Sequence, residues 1–320
     1  MYQGKRVLLI GGGGTLGTYT AEELLRLGAY VDVICPEEKI SENERLTFHR
    51  ALVSNELLKD LFSKNHYDGI VNFIYYPTLE EYKSVHPLLI ENTDHLIFLS
   101  SYRVYADEQH PITESAPRLL DVIKDEDFLA NENYALPKAK CEDYLRNERA
   151  GEPWTIVRPV ISFSDRRMDL LMYSGNVILN AAKEGRALPL PENTKHFTAG
   201  LDWAGNSGKL IANLLFKKEA LGEAYTIYSG HGMRWGEIAS LYEKITGVKF
   251  LWCSEEEYLT SEDGRPESKL RMWQWKHDRA YNRDLDASKV LKATRLTRED
   301  FATVEYCIKK ELEKLGFQTK

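Results

Sequence analysis

Gly11-Gly12-Gly13-Gly14, followed by Thr15-Leu16-Gly17, stands directly after the apolar run Val7-Leu8-Leu9-Ile10, and no other feature restricts the fold as strongly. Residues without side chains are poor in the interior of a strand or helix, so the apolar run has to end in a tight turn. Beyond the turn, Ala21, Leu24, Leu25 and Gly28 fall at i, i+3, i+4 and i+7, the spacing of a one-faced helix closed by a C-terminal glycine. The next apolar run is Tyr30–Ile34. Strand, glycine turn, helix and strand predict a βαβ unit whose turn points backbone N–H groups past a helix N-terminus, which suits a pyrophosphate. Two registers fit, G-x-G-x-x-G on Gly12, Gly14 and Gly17 and G-x-x-G-x-x-G on Gly11, Gly14 and Gly17; a tight turn without a ligand is the alternative.

Further short apolar runs continue the pattern: a weaker one near Leu46–Leu52, then Gly69–Ile74, Leu96–Ser100 and Trp154–Arg158, with helical spacing between them. Such runs fit a parallel sheet covered by helices on both faces, so the predicted fold class is α/β, a doubly wound parallel sheet with a smaller C-terminal α/β lobe. A chain of 320 residues exceeds the usual ~100–150 of one domain. The alternation weakens after Arg158-Pro159, which puts a dinucleotide-binding domain at 1–163, with 197–228 returning to it, and a substrate domain mainly at 164–320. Ile211–Phe216, Trp235–Ile245 and Arg298–Leu315 read as later helices.

The 49 acidic against 42 basic residues give a formal charge of −7, which opposes a nucleic-acid partner. Cys35, Cys141, Cys253 and Cys307 are widely spaced, with no C-x-x-C or H-E-x-x-H, so neither a metal site nor a disulfide framework is expected. The start, Met1 to Arg6, lacks the pattern of a signal peptide, and the longest uncharged stretch, Val7 to Ala21, is glycine-broken and too short for a membrane span. A cytoplasmic protein is the expectation.

Tyr134-Ala135-Leu136-Pro137-Lys138 spaces a phenol and an ammonium four residues apart, on one face of a helix. A nearby cation stabilises phenolate and draws the tyrosine toward a pKa useful for proton transfer. Ser100 and Ser101 end an apolar strand, where ligands of open parallel sheets bind, although they also suit a strand-to-loop turn. The acid expected to hold an adenosine ribose is replaced by Cys35; Asp32 lies mid-strand, and Glu37 or Glu38 could reach the ribose. With no arginine close behind to neutralise a 2′-phosphate, NAD is favoured and NADP is left open.

At this point the chain resembles the extended short-chain dehydrogenase/reductase family, which includes nucleotide-sugar epimerases and dehydratases. The resemblance rests on the Gly11/Gly14/Gly17 loop, Leu99-Ser100-Ser101-x-x-Val104-Tyr105, Pro111-Ile112-Thr113-Glu114, Tyr134-x-x-x-Lys138 with Cys141-Glu142, and Trp154-Thr155-Ile156-Val157-Arg158-Pro159. Later segments continue it: Leu201-Asp202-Trp203-Ala204, Gly222–Ile227 and Trp235-Gly236-Glu237-Ile238. It implies a Rossmann lobe that binds a nicotinamide cofactor through Gly11, Gly14, Thr15, Leu16, Gly17, Cys35, Tyr75, Ser100 and Lys138. It also implies Tyr134 as acid/base, Lys138 as the cation that lowers its pKa and Ser101 as orienter of the reacting oxygen. A homodimer is a further possibility that the family suggests.

Four departures bear on function. Tyr102-Arg103 replaces the acidic pair of the family's dehydratases, which argues against dehydration. Asn72-Phe73-Ile74-Tyr75-Tyr76-Pro77 is bulkier than the usual end of the fourth strand, Ala51–Ser54 lacks the acid that contacts adenine, and Pro137 fits only near a helix start. On the substrate side, cations interleave with aromatics between Leu270 and Asp286; Arg271, Arg279 and Arg283 are candidates for a substrate diphosphate, and core packing is the competing reading. Arg103 suits either a substrate anion or a loop acid such as Asp107. The leading expectation is an NAD(P)-dependent oxidoreductase/isomerase acting on a sugar hydroxyl, foremost a nucleotide-sugar epimerase. The alternatives are a small-molecule ketone or aldehyde reductase, and a non-catalytic dinucleotide sensor or RNA-binding relative like the chloroplast stem-loop-binding proteins, which the fourth-strand sequence also resembles.

Overall fold

The computed structural model describes residues 2–317, so Met1, the first residue of the N-terminal stretch tested for a signal peptide, lies outside the described residues. Its strands are β1 (Arg6–Ile10), β2 (Tyr30–Cys35), β3 (Leu46–Arg50), β4 (Gly69–Asn72), β5 (Leu96–Leu99), β6 (Trp154–Pro159), β7 (Ile161–Phe163), β8 (Ala187–Pro191), β9 (Leu201–Trp203), β10 (Glu223–Ile227) and β11 (Lys249–Cys253). Seven of them form one parallel sheet in the order β10-β6-β5-β4-β1-β2-β3, a Rossmann-like α/β arrangement. The chain reverses direction across the sheet between β1 and β4, and this is where the glycine turn lies.

Alternating residues explain why the sheet is covered twice. Val7 and Leu9 of β1 join one apolar cluster with Val33, Val71 and Ile97, while Leu8 and Ile10 join the other with Ile34, Ile70 and Phe98. The first cluster also contains Leu210, Ile211 and Leu214 of the helix Ala204–Leu214, which packs beside the first helix, Thr15–Leu27. The second includes Cys141 and Leu145 of the helix Ala135–Glu148.

The remaining strands make two small parallel pairs, β7 with β9 and β8 with β11, in a lobe with its own apolar cluster that includes Tyr173, Leu188, Trp235, Tyr258 and Trp275. The helix Trp235–Thr246 ends on Gly247 in the left-handed region at φ 79°. Two helix readings need correction. Ile211–Phe216 is the tail of a helix that begins at Ala204 and stops at Leu214, since Phe216 takes φ +64°. The last helix begins at Val304, not Arg298: Arg298–Asp300 is a separate turn, and Thr303 accepts from the N–H of Tyr306 to cap the helix Val304–Lys314. Phe301 matches the helical spacing only because it is buried, and it packs in the cluster below the first helix.

Candidate active site

One cavity of about 410 Å³ opens at the carboxyl ends of β1, β5 and β6, with the glycine turn at one side and Ser101 and Tyr134 among its other walls. The turn has its shape because Gly11 adopts φ +72° and Gly17 lies against the turn: a Cβ there would sit 2.3 Å from the carbonyl oxygen of Gly12. Gly14 behaves differently, since a Cβ on it would meet nothing within 4 Å. It is the N-cap of the first helix, whose first turn carries no side-chain cap and no acid. The uncapped N–H groups and the helix dipole therefore face space that an anion can fill. Cys35 is buried outside the cavity lining, with its thiol directed to the carbonyl of Glu37. Asp32 is engaged elsewhere, held by Arg6 at 2.7 Å and His49 at 3.1 Å.

Two cations that the reading of sequence overlooked reach the turn. Lys39 Nζ donates to the carbonyl of Gly13 at 2.6 Å, and Arg166 Nη1 approaches the same oxygen at 3.5 Å. Neither carries a local signal, because Lys39 looks like a loop residue and Arg166 comes from 153 positions away.

Across the cavity, Glu132 decides where Tyr134 sits. Its carboxylate accepts from the backbone N–H groups of Tyr134, Ala135 and Leu136 at 3.1, 3.1 and 2.9 Å, capping the helix Ala135–Glu148 and leaving Tyr134 as its N-cap residue. Pro137 falls in the first turn, where a missing N–H costs nothing. Lys138 is buried, donates from Nζ to the carbonyl of Leu99 at 2.7 Å, and lies 5.6 Å from the centre of the Tyr134 ring. Burial pushes its ammonium below the usual lysine range, with Tyr134 opposing. For Tyr134 itself burial acts upward, but Lys138, Arg103 and a hydrogen bond with Ser101 outweigh it and leave the phenol below its ordinary value. The Tyr75 ring stacks on Tyr134 at 5.8 Å, and its hydroxyl donates to the carbonyl of Asn133.

Ser101 lines the cavity and caps the turn Tyr102–Val104 by accepting from the N–H of Arg103 at 3.2 Å. Ser100 is buried in the same wall, beside Glu142, and its hydroxyl has no partner of hydrogen-bond geometry. Glu142 forms a buried ion pair with Arg158 at 2.5 and 2.9 Å, tying the helix of Tyr134 to β6.

The arginines divide into two groups. Arg103, Arg167 and Arg279 line the cavity, whereas Arg271 and Arg283 lie outside its lining. Arg283 is 2% exposed and donates to the carbonyls of Tyr105 and His277, so a structural role replaces the phosphate contact expected of it. Arg271 likewise spends its donors on the carbonyl of Met172 and on Gln274. Arg103 pairs with Asp278 at 3.4 Å and Glu132 at 3.9 Å rather than with Asp107, which faces His110. Trp273 and Trp275 are buried in apolar clusters, so the aromatic part of this stretch serves packing. Asp278 is fully enclosed: burial acts to raise its pKa, but Arg279, Arg103 and Arg283 hold it below the carboxylate range.

The residues present fit a dinucleotide, given the open Gly14 side, the uncapped helix start and the unpartnered Ser100 hydroxyl. Comparisons with known proteins agree at the level of fold. A family model described as "Putative NAD(P)-binding" matches residues 1–80. No curated protein sequence matches. Among solved structures, UDP-N-acetylglucosamine 4-epimerase from Bacillus cereus superposes with TM-score 0.67 at 18% identity, over 98% of this chain and 98% of that one. UDP-glucuronic acid 4-epimerase from Bacillus cereus, in complex with UDP-glucuronic acid and NAD, gives 0.67 at 16% over 97% and 99%. UDP-glucose-4-epimerase from Stenotrophomonas maltophila, with bound NAD and formylated UDP-arabinopyranose, gives 0.68 at 14% over 97% and 97%. The chain thus shares the fold of these epimerase structures and opens on a segment that matches an NAD(P)-binding model.

Proposed function

We propose that this protein is an NAD(P)-dependent oxidoreductase/isomerase that acts on a sugar hydroxyl, as a nucleotide-sugar epimerase with Tyr134 as its acid/base. One observation carries the reading: Tyr134, its ring centre 5.6 Å from the Lys138 ammonium and 4.5 Å from the Arg103 guanidinium carbon, shares a single cavity with Ser101 and an uncapped glycine turn. NAD is the cofactor that the neighbouring structures favour, since the UDP-glucuronic acid and UDP-glucose epimerases were both crystallised with it. A nicotinamide dinucleotide, held by the Gly11–Gly17 turn with Ser100 and Lys138, would supply reversible acceptance of a hydride.

The chain's own groups do the rest. Tyr134 takes the hydroxyl proton as the carbinol is oxidised and returns it on reduction, and Ser101 holds the reacting oxygen. Lys138 favours the phenolate over the neutral phenol and is itself fixed by the Leu99 carbonyl. Phe73, Leu99 and Val160 present apolar walls that exclude water from the exchange.

The test is incubation of the NAD-loaded protein with a panel of UDP-sugars, with products resolved by chromatography. Epimer formation without net change in NADH absorbance supports the reading. Net consumption of reduced cofactor would instead point to a reductase.

A further inference from the structure

An arginine carries five N–H donors. Arg279 gives Nε to the carbonyl of Leu171 and Nη1 to the Tyr102 hydroxyl and Asp278, and Arg283 is similarly engaged. Arg103 is different. Its side chain is 19% exposed, yet among the described residues its guanidinium makes no hydrogen bond: Nε faces Asp278 at 3.4 Å without hydrogen-bond geometry, and Nη2 is 3.9 Å from Glu132. What holds it is the face of Tyr134, whose ring centre is 4.5 Å from the guanidinium carbon.

Nor does Asp278 require it. That carboxylate already accepts from the Tyr102 hydroxyl at 2.6 Å and Arg279 at 2.6 Å, with Arg283 at 3.4 Å. The cavity wall contains three guanidiniums, those of Arg103, Arg167 and Arg279, and among its described lining residues no acid. The Nη groups of Arg103, which make no hydrogen bond beside the Tyr134 ring, suit a carboxylate or phosphoryl group, which a planar guanidinium can bind through two parallel hydrogen bonds.

We propose that Arg103 is a specificity-determining residue that binds an anionic oxygen group, carboxylate or phosphoryl, carried by the substrate next to the carbinol carbon that Tyr134 serves. This deepens the proposed function and rests on its assignment of Tyr134. A neutral sugar ring would leave the fork unfilled, so the preferred substrate is an acidic carbinol, such as a uronate or a phosphorylated hydroxy compound.

Equilibrium binding tests this without turnover. The rise in melting temperature with ligand concentration is measured for the wild-type protein, Arg103→Gln and Arg103→Lys, using glycolate, inorganic phosphate and ethylene glycol as probes. Saturable stabilisation by glycolate, absent with ethylene glycol and weakened about tenfold or more in Arg103→Gln with partial recovery in Arg103→Lys, is expected for a carboxylate. The same dependence seen only with phosphate identifies a phosphoryl group. Equal affinities in wild type and Arg103→Gln, or no saturable anion binding by the wild type, would overturn the proposal. The melting temperature without ligand controls for folding, and Asp278 keeps its other partners in both variants. Failure of Tyr134 to act as acid/base would leave these binding results unchanged, so the two readings fail separately.

Discussion

At the scale of single residues, the phenol of Tyr134 is set by competition between burial, which favours neutrality, and four neighbours that favour the phenolate, Lys138, Arg103, Ser101 and Arg167. Tyr134→Phe removes the proton acceptor and leaves the ring, its stacking on Tyr75 and the helix start in place. Turnover is expected to fall by about 10²–10⁴-fold with cofactor affinity retained, measured by steady-state kinetics and by NAD titration. Oxidation of the carbinol should rise with pH through the depressed tyrosine pKa and then level off. Lys138→Met removes a lowering influence, so the rising limb of the pH–rate profile is expected to move to higher pH.

Glu142 offers a stability test at the same scale. Burial acts to raise its pKa, but the paired Arg158 guanidinium, with Arg118 nearby, brings it below the usual glutamate range. A carboxylate whose folded pKa lies below its unfolded value contributes stability above the ordinary glutamate pKa, and this contribution is lost as pH falls through the folded value. Glu142→Gln leaves the Arg158 charge buried with its main partner gone and is expected to cost about 3–5 kcal/mol at neutral pH, read from denaturant unfolding. The difference between wild type and variant should shrink on acidification.

At the scale of elements, the turn joining β1 to the first helix uses its glycines for different purposes. Gly17 meets the backbone of Gly12, whereas Gly14 meets open cavity at φ −76°, a conformation that alanine also adopts. Gly17→Ala is therefore expected to lower the melting temperature and weaken NAD together. Gly14→Ala should keep stability within about 0.5 kcal/mol and weaken NAD alone, because its methyl group occupies the approach to the uncapped N–H groups. Equal effects of both substitutions on stability would refute this division. Elements also show which signals were legible. Apolar runs and glycine stops mark the six strands β1–β6 and the helix ending at Gly247, whereas helical spacing predicts a final helix from Arg298, six residues ahead of its start at Val304. Phe301 is buried by tertiary packing in an extended segment, and periodicity cannot distinguish that burial from a helical face.

At the scale of the molecule, the main sheet is completed by late chain. β10 pairs with β6, and Leu210, Ile211 and Leu214 cover the sheet face beside the first helix. A fragment ending at residue 163 would leave the β6 edge unpaired and that apolar face bare. It is expected to bind hydrophobic dyes and to be digested by protease under conditions in which the full chain resists; a protease-resistant fragment with native-like spectra would contradict this. Among the described residues, no helix is long and apolar enough to cross a membrane.

The glycine turn, the succession of strands along the chain and the Tyr134/Lys138 spacing were legible in the sequence because each depends on neighbours within about one turn or one strand, whereas Ser101 lines one cavity with the turn and Tyr134 only through the fold. Glycine freedom, period and spacing are local properties that linear order preserves. The arginines could not be resolved that way. Arg103, Arg271, Arg279 and Arg283 look alike in sequence, and only folding determined that Arg283 and Arg271 spend their donors on backbone carbonyls while Arg103 keeps its own beside Tyr134. Arg167 and Lys39 escaped notice for the same reason, since they reach their places from unrelated stretches of chain. The charge of a side chain is written in the sequence, but whether that charge is already paired depends on which distant acceptors the tertiary fold brings within about 3 Å.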